Sequence, residues 1–150
     1  MTTKSLTTPS LAVAFTTALL LAGSGAAVTS SAADPAPARL VTVKTLEAQL
    51  GPGGDPDGSG EAHFRLIQAT TRVCANVEWS NIGTPDAAHI HKVKDGSIVV
   101  DLTGSVTGGK HCAHASKALI TRLLDHPRRY YFNVHNATYP AGAIRGPLHH

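Results

Sequence analysis

The chain has 150 residues, with 13 Lys and Arg against 10 Asp and Glu, nine His and two Cys, and 42% of it is hydrophobic. A net charge of +3 with no run of basic residues gives nucleic-acid binding no support. The length suits one domain with one core behind a targeting segment.

The first segment reads as a secretion signal. Lys4 is the only charge before Asp34, an apolar stretch runs from Leu11 to Val28, and Ser31-Ala32-Ala33 supplies the small residues of a cleavage site. Residues 1–33 are therefore expected to be a signal peptide cut after Ala33. The strongly apolar part is too short, and too rich in Thr, Gly and Ser, for a span of about 20 residues. No membrane span is expected after cleavage, and the location is secreted or extracytoplasmic, in the cell envelope. Removing 33 of the 150 residues leaves about 117, in which Pro35 and Pro37 mark residues 34–39 as a flexible leader before a domain over 40–148.

The domain reads as short strands broken by turns. Leu40 to Leu50, rich in Val, Thr and Leu, is a first strand, and the Gly, Pro and Asp of residues 51–60 make a loop. Glu61 to Gln68 alternates, with Ala62, Phe64 and Leu66 on one face and His63 and Arg65 on the other. Arg72 to Ser80 repeats the pattern with Val73, Ala75, Val77 and Trp79. Ala87 to Val93 and Ser97 to Leu102 form a hairpin around Lys94-Asp95-Gly96. Residues 104–109 are a loop and 110–115 a short extended piece. Ser116 caps a helix over Lys117 to Asp125, with Leu119, Ile120, Leu123 and Leu124 as its apolar stripe and Pro127 past its end. Arg129 to Asn136 is a strand, Tyr139-Pro140-Ala141-Gly142 a turn, and Ala143 to Leu148 a last strand. The expected fold is mainly β: an antiparallel β-sandwich-like or Greek-key domain, or a flattened barrel, with one short helix.

Cys74 and Cys112 both lie in this domain. In an oxidising compartment an isolated pair bridges, and a loop of about 39 residues is worth about 4 kcal/mol in the chain-entropy account. The alternatives are two free thiols, or a Cys/His metal site with His111 and His114; export favours the disulfide.

Two stretches resemble a known family. One is Ala88-His89-Ile90-His91 followed by Ser97 to Leu102. The other runs from Tyr130-Tyr131-Phe132-Asn133-Val134-His135 through the turn to Ile144-Arg145-Gly146. Together they resemble the CHRD domain, named for its occurrence in chordin and found in many bacterial exported proteins. The resemblance covers Leu40 to Leu148. It implies an extracellular β-sandwich-like module and no settled biochemical activity. The chain lacks chordin's cysteine-rich modules, so growth-factor binding does not carry over, and Lys92 stands where the family often has a small residue.

Strand alternation puts His89 and His91 on one face, opposite Ile90. Asn133 and His135 lie opposite Phe132 and Val134, and Arg145 opposite Ile144. If their strands are neighbours, the five form one outward polar patch. Three imidazoles there suit Cu²⁺ or Zn²⁺, with Arg145 opposing a cation unless paired. The competing reading is a hydrogen-bonded polar network. Asp55-x-Asp57-x-Ser59 looks like the start of a Ca²⁺ loop, but Leu66 stands where that loop needs Glu. Asn136-Ala137-Thr138 matches a glycosylation acceptor, and His149-His150 reads as a solvated tail. No nucleophile motif or phosphate-cradling loop appears, and Asp86, Asp101 and Asp125 are scattered. The leading expectation is a secreted, non-catalytic module binding an extracellular or cell-envelope protein or matrix component. The alternative is a copper- or zinc-binding protein using His89, His91 and His135.

Overall fold

The structure, a computed structural model, describes residues 40–150. The expected signal peptide, its cleavage point and the leader over 34–39 lie outside the described residues.

Alternation of apolar and polar side chains dictates the strands. Leu46, Ala48 and Leu50 bury one face of β1 (Lys44–Pro52). Ala62, Phe64 and Leu66 do the same for β2 (Ser59–Ile67), and Val73, Ala75 and Val77 for β3 (Arg72–Ser80). The three form an antiparallel meander in which Leu46 faces Phe64 and Phe64 faces Ala75. The next strands, β4 (Pro85–Lys92) and β5 (Ile98–Asp101), make the expected hairpin, closed by Lys92 N–H to Ser97 O at 2.9 Å. Then come β6 (Cys112–His114), the helix α1 (Lys117–Asp125), β7 (Tyr130–Asn136) and β8 (Ile144–Pro147). The helix has the expected bounds: Ser116 Oγ accepts from Leu119 N–H at 3.2 Å, and Ile120 and Leu123 reach the core.

All eight strands join one antiparallel sheet in the order β5-β4-β7-β8-β1-β2-β3-β6. The link between its halves is short: β8 pairs with the last two residues of β1, Gly51 opposite Arg145 and Pro52 opposite Ile144. The edge strands β5 and β6 come close to each other, so the sheet is nearly closed and barrel-like. The chain is mainly β with one short helix, as expected, and its one continuous, curled sheet is nearer the expected flattened barrel than a sandwich of two facing sheets. Phe64 and Phe132, on strands that are not neighbours, meet edge-on across its interior with ring centres 5.1 Å apart.

The first strand starts later and ends later than its composition suggests. Leu40 is 95% exposed, and Val41 and Val43 face water with no strand beside them. Gly51 and Pro52, expected in a loop, are held in the strand by β8. Cys74 and Cys112 are directly paired across β3 and β6 and form the expected disulfide. The two terminal histidines are tied down: Glu47 and His149 exchange backbone hydrogen bonds at 2.8 and 2.9 Å, and His150 Nε2 lies 3.0 Å from Leu124 O.

Candidate functional site

Strand register brings the polar residues of the second half together. His89 on β4 stands opposite Asp101 on β5 and, on its other side, opposite Asn133 on β7; Asn133 in turn stands opposite Arg145 on β8. The order across four strands is Asp101, His89, Asn133, Arg145. At about 4.8 Å per strand, Arg145 is roughly 10 Å from His89, while Asp101 is next to it.

Three features bury this outward face. The pairing of β4 with β5 shifts between Ile90 and His91, and at this irregularity both side chains are buried. The turn of residues 139–142 folds back over β7, with Gly142 N–H donating to Tyr139 O at 2.9 Å. Gly142 has φ +123°, and any Cβ there would run into the Asn133 amide, so the turn must carry glycine. Finally, Tyr131 stacks on His91, with ring centres 5.0 Å apart and planes 11° from parallel. Asn133 is left 2% exposed and His91 7%.

The three imidazoles converge. One ring nitrogen from each of His89, His91 and His135 lies within 4.8 Å of the other two. Backbone carbonyls set two of the tautomers. His91 Nδ1–H donates to Gly96 O at 2.8 Å and His135 Nδ1–H donates to Pro140 O at 3.0 Å. A carbonyl only accepts, so the Nε2 of each neutral ring is a lone pair. The His135 lone pair receives His89 Nδ1–H at 3.2 Å. His91 Nε2 is buried with no partner, and so is Asn133 Oδ1, whose amide donates its own N–H to Ala141 O at 3.1 Å. Leaving such an acceptor unsatisfied costs about 1–3 kcal/mol.

Burial pushes the His89 imidazolium below its ordinary value of 6.5, and the neighbouring His135 adds to this; Asp101 pulls the other way. Asp101 Oδ1 lies 3.7 Å from His89 Nε2. The Thr103 N–H, donating to Asp101 at 2.9 Å, holds this carboxyl below its usual 3.8. The sequence left Asp101 among scattered carboxylates. Counting outward in both directions from the Lys94-Asp95-Gly96 turn would have paired it with His89.

The other candidates fare differently. Glu47, Glu61 and His63 form a second cluster on the outer face of β1 and β2, where His63 lies 3.5 Å from Glu47 and 3.4 Å from Glu61, all exposed. Asp55 and Asp57 join no such group among the described residues, and Asp55 is buried against the 142–143 backbone through its own N–H to Ala143 O. Asn136 is buried, donating to Ile82 O and accepting from Tyr139 N–H at 2.8 Å, so the folded domain hides its amide from glycosylation. Beside the histidines, Pro52, Val93, Tyr131, Arg145, Gly146 and Pro147 line an open depression of about 460 Å³.

No curated protein and no solved structure matches the chain. The CHRD domain family matches residues 41–148, which takes in every strand, the helix and both stretches that carried the resemblance. On that span this chain belongs to the CHRD domain family.

Proposed function

We propose that the chain is an exported, non-catalytic CHRD module that acts outside the cytoplasm by binding an extracellular or cell-envelope protein or matrix component. In this reading residues 1–33 are its signal, 34–39 its leader and 40–148 its working domain. The observation that carries the reading is the Cys74–Cys112 disulfide inside the family-matched span. Structural disulfides persist in oxidising compartments and are rare in reducing ones. The surface that fits a partner is the depression beside β7. It offers Tyr131 and Arg145, residue types enriched where interfaces bury most, next to the exposed Val93.

Expression of the full chain with its own N-terminus tests the address. The expected product is extracytoplasmic, begins at Asp34 and has no alkylatable thiol. Cytoplasmic retention with Cys74 and Cys112 reduced would overturn the reading. Site-specific crosslinkers at Tyr131 and at Gln49, on the β1–β2 half, test the surface. A partner captured from the envelope fraction only at Tyr131, and lost with Arg145→Glu, is expected. Equal capture at both positions would count against the docking surface.

A further inference from the structure

We infer that His89, His91 and His135 form a site for one borderline-soft divalent ion, Cu²⁺ or Zn²⁺, because their ring nitrogens converge and the most buried of the three rings keeps an unpartnered lone pair. This goes beyond the module reading and does not depend on the partner.

Two independent observations carry it. The first is convergence: three ring nitrogens lie within 4.8 Å of one another on two neighbouring strands. Metal–nitrogen bonds of 2.0–2.1 Å put imidazole nitrogens about 3.3–3.6 Å apart in a trigonal or tetrahedral site. The His89 Nδ1 to His135 Nε2 separation of 3.2 Å is already close to that. The second is the orphan acceptor. His91 is 7% exposed, its Nδ1–H is spent on Gly96 O, and its Nε2 has nothing to accept from. A cation is what a converging set of lone pairs lacks.

The outer nitrogens support the same assignment. Ligating histidines hold their second nitrogen on a carbonyl or carboxylate, which fixes ring and tautomer. Gly96 O does this for His91 and Pro140 O for His135. His89 is the hinge of the arrangement. Without an ion its proton sits on Nδ1, shared with His135. On binding, that proton moves to Nε2, which faces Asp101 Oδ1 at 3.7 Å, and Nδ1 is freed for the ion. The ring stays neutral and no proton is released. The nearest charge is then the Asp101 carboxylate, one strand away, whereas Arg145 lies two strands off behind Asn133. With three protein ligands and both His89 and His135 only part-buried, a fourth position is left open to a water or a partner's group.

The test uses the full exported chain, stripped with a chelator and titrated with Cu²⁺ and, separately, Zn²⁺. The background carries His149→Ala/His150→Ala and His63→Ala, which removes the terminal pair and the exposed cluster as competing binders. One equivalent bound at micromolar or tighter affinity is expected, read by competition with a chromophoric chelator. His135→Gln, at a part-exposed position, should weaken it by more than about 100-fold, and Asp101→Asn by about 10–100-fold. Imidazole ¹⁵N spectra with Zn²⁺ should show the His89 proton moving from Nδ1 to Nε2. No binding above background, or one equivalent that survives both His91→Gln and His135→Gln in chains that melt cooperatively, overturns the site. Either failure leaves export and the disulfide untouched.

Discussion

His91 donates Nδ1–H to the carbonyl of Gly96 at 2.8 Å, so the turn of the β4–β5 hairpin fixes the ring of the most buried histidine. Gly96 has φ +69° and donates its own N–H to Lys92 O at 2.9 Å. A side chain in that left-handed conformation costs about 1–2 kcal/mol. Gly96→Ala should therefore lower unfolding stability by that amount in urea, and Gly96→Asn by less. The His91 ring resonances should shift more in the Ala variant. Equal stability of wild type and Gly96→Ala would mean that the turn is not held as described.

Phe64 and Phe132 join the two halves of the sheet through the interior. Both are essentially inaccessible to water. Phe132→Ala should cost about 3–5 kcal/mol by denaturant unfolding. A double-mutant cycle with Phe64→Leu and Phe132→Leu should return a coupling of about 0.5–1.5 kcal/mol. A coupling indistinguishable from zero would show that the rings do not meet in solution.

Reduction addresses the Cys74–Cys112 link, which closes a sequence separation of 38 residues. Chain entropy predicts a loss of up to about 4 kcal/mol on reduction, and Cys74→Ala/Cys112→Ala should match it. Urea midpoints with and without dithiothreitol measure the difference. An unchanged midpoint would show that β6 is already held by its pairing with β3.

Asp95 accepts from the Ser97 hydroxyl at 2.6 Å and from its N–H at 2.9 Å, and both hold its carboxyl below the usual 3.8. The folded value lies below the unfolded one. The contribution is therefore fully present above about pH 3.8 and is lost as pH falls through the folded value. Asp95 is solvent-exposed, so the effect on stability is small. Carboxyl NMR should place its midpoint under 3.8, and Ser97→Ala should raise it. A midpoint at or above 3.8 in the wild type would contradict the geometry.

Much of this fold is legible in residue order. The β3 span and the helix match their expected bounds because a period-two run and a capped apolar stripe are local signals. The first strand is displaced because Leu40, Val41 and Val43 have β-forming side chains but no neighbour, while Gly51 and Pro52 have weak propensity and a partner in β8. The polar face shows the same limit. Alternation correctly puts Asn133 outward, yet it is buried, because the 139–142 turn that covers it is a tertiary feature. His89 and His135 are 46 residues apart, and only the β4–β7 register brings them together. The tautomers of His91 and His135 are set by two turn carbonyls, which leave no mark on side-chain pattern.

The covalent tie between β3 and β6 also bears on how the protein behaves in company. β6 is a three-residue edge strand, and an edge presents unpaired backbone groups to any passing chain. A cross-link at the paired position Cys74–Cys112 keeps that edge from peeling away. Peeling would expose the Arg72–Ala75 margin of β3, with Val73 and Ala75 behind it, as a template for aggregation. In the extracytoplasmic setting proposed for the chain, a bolted edge guards against that first step of misassembly.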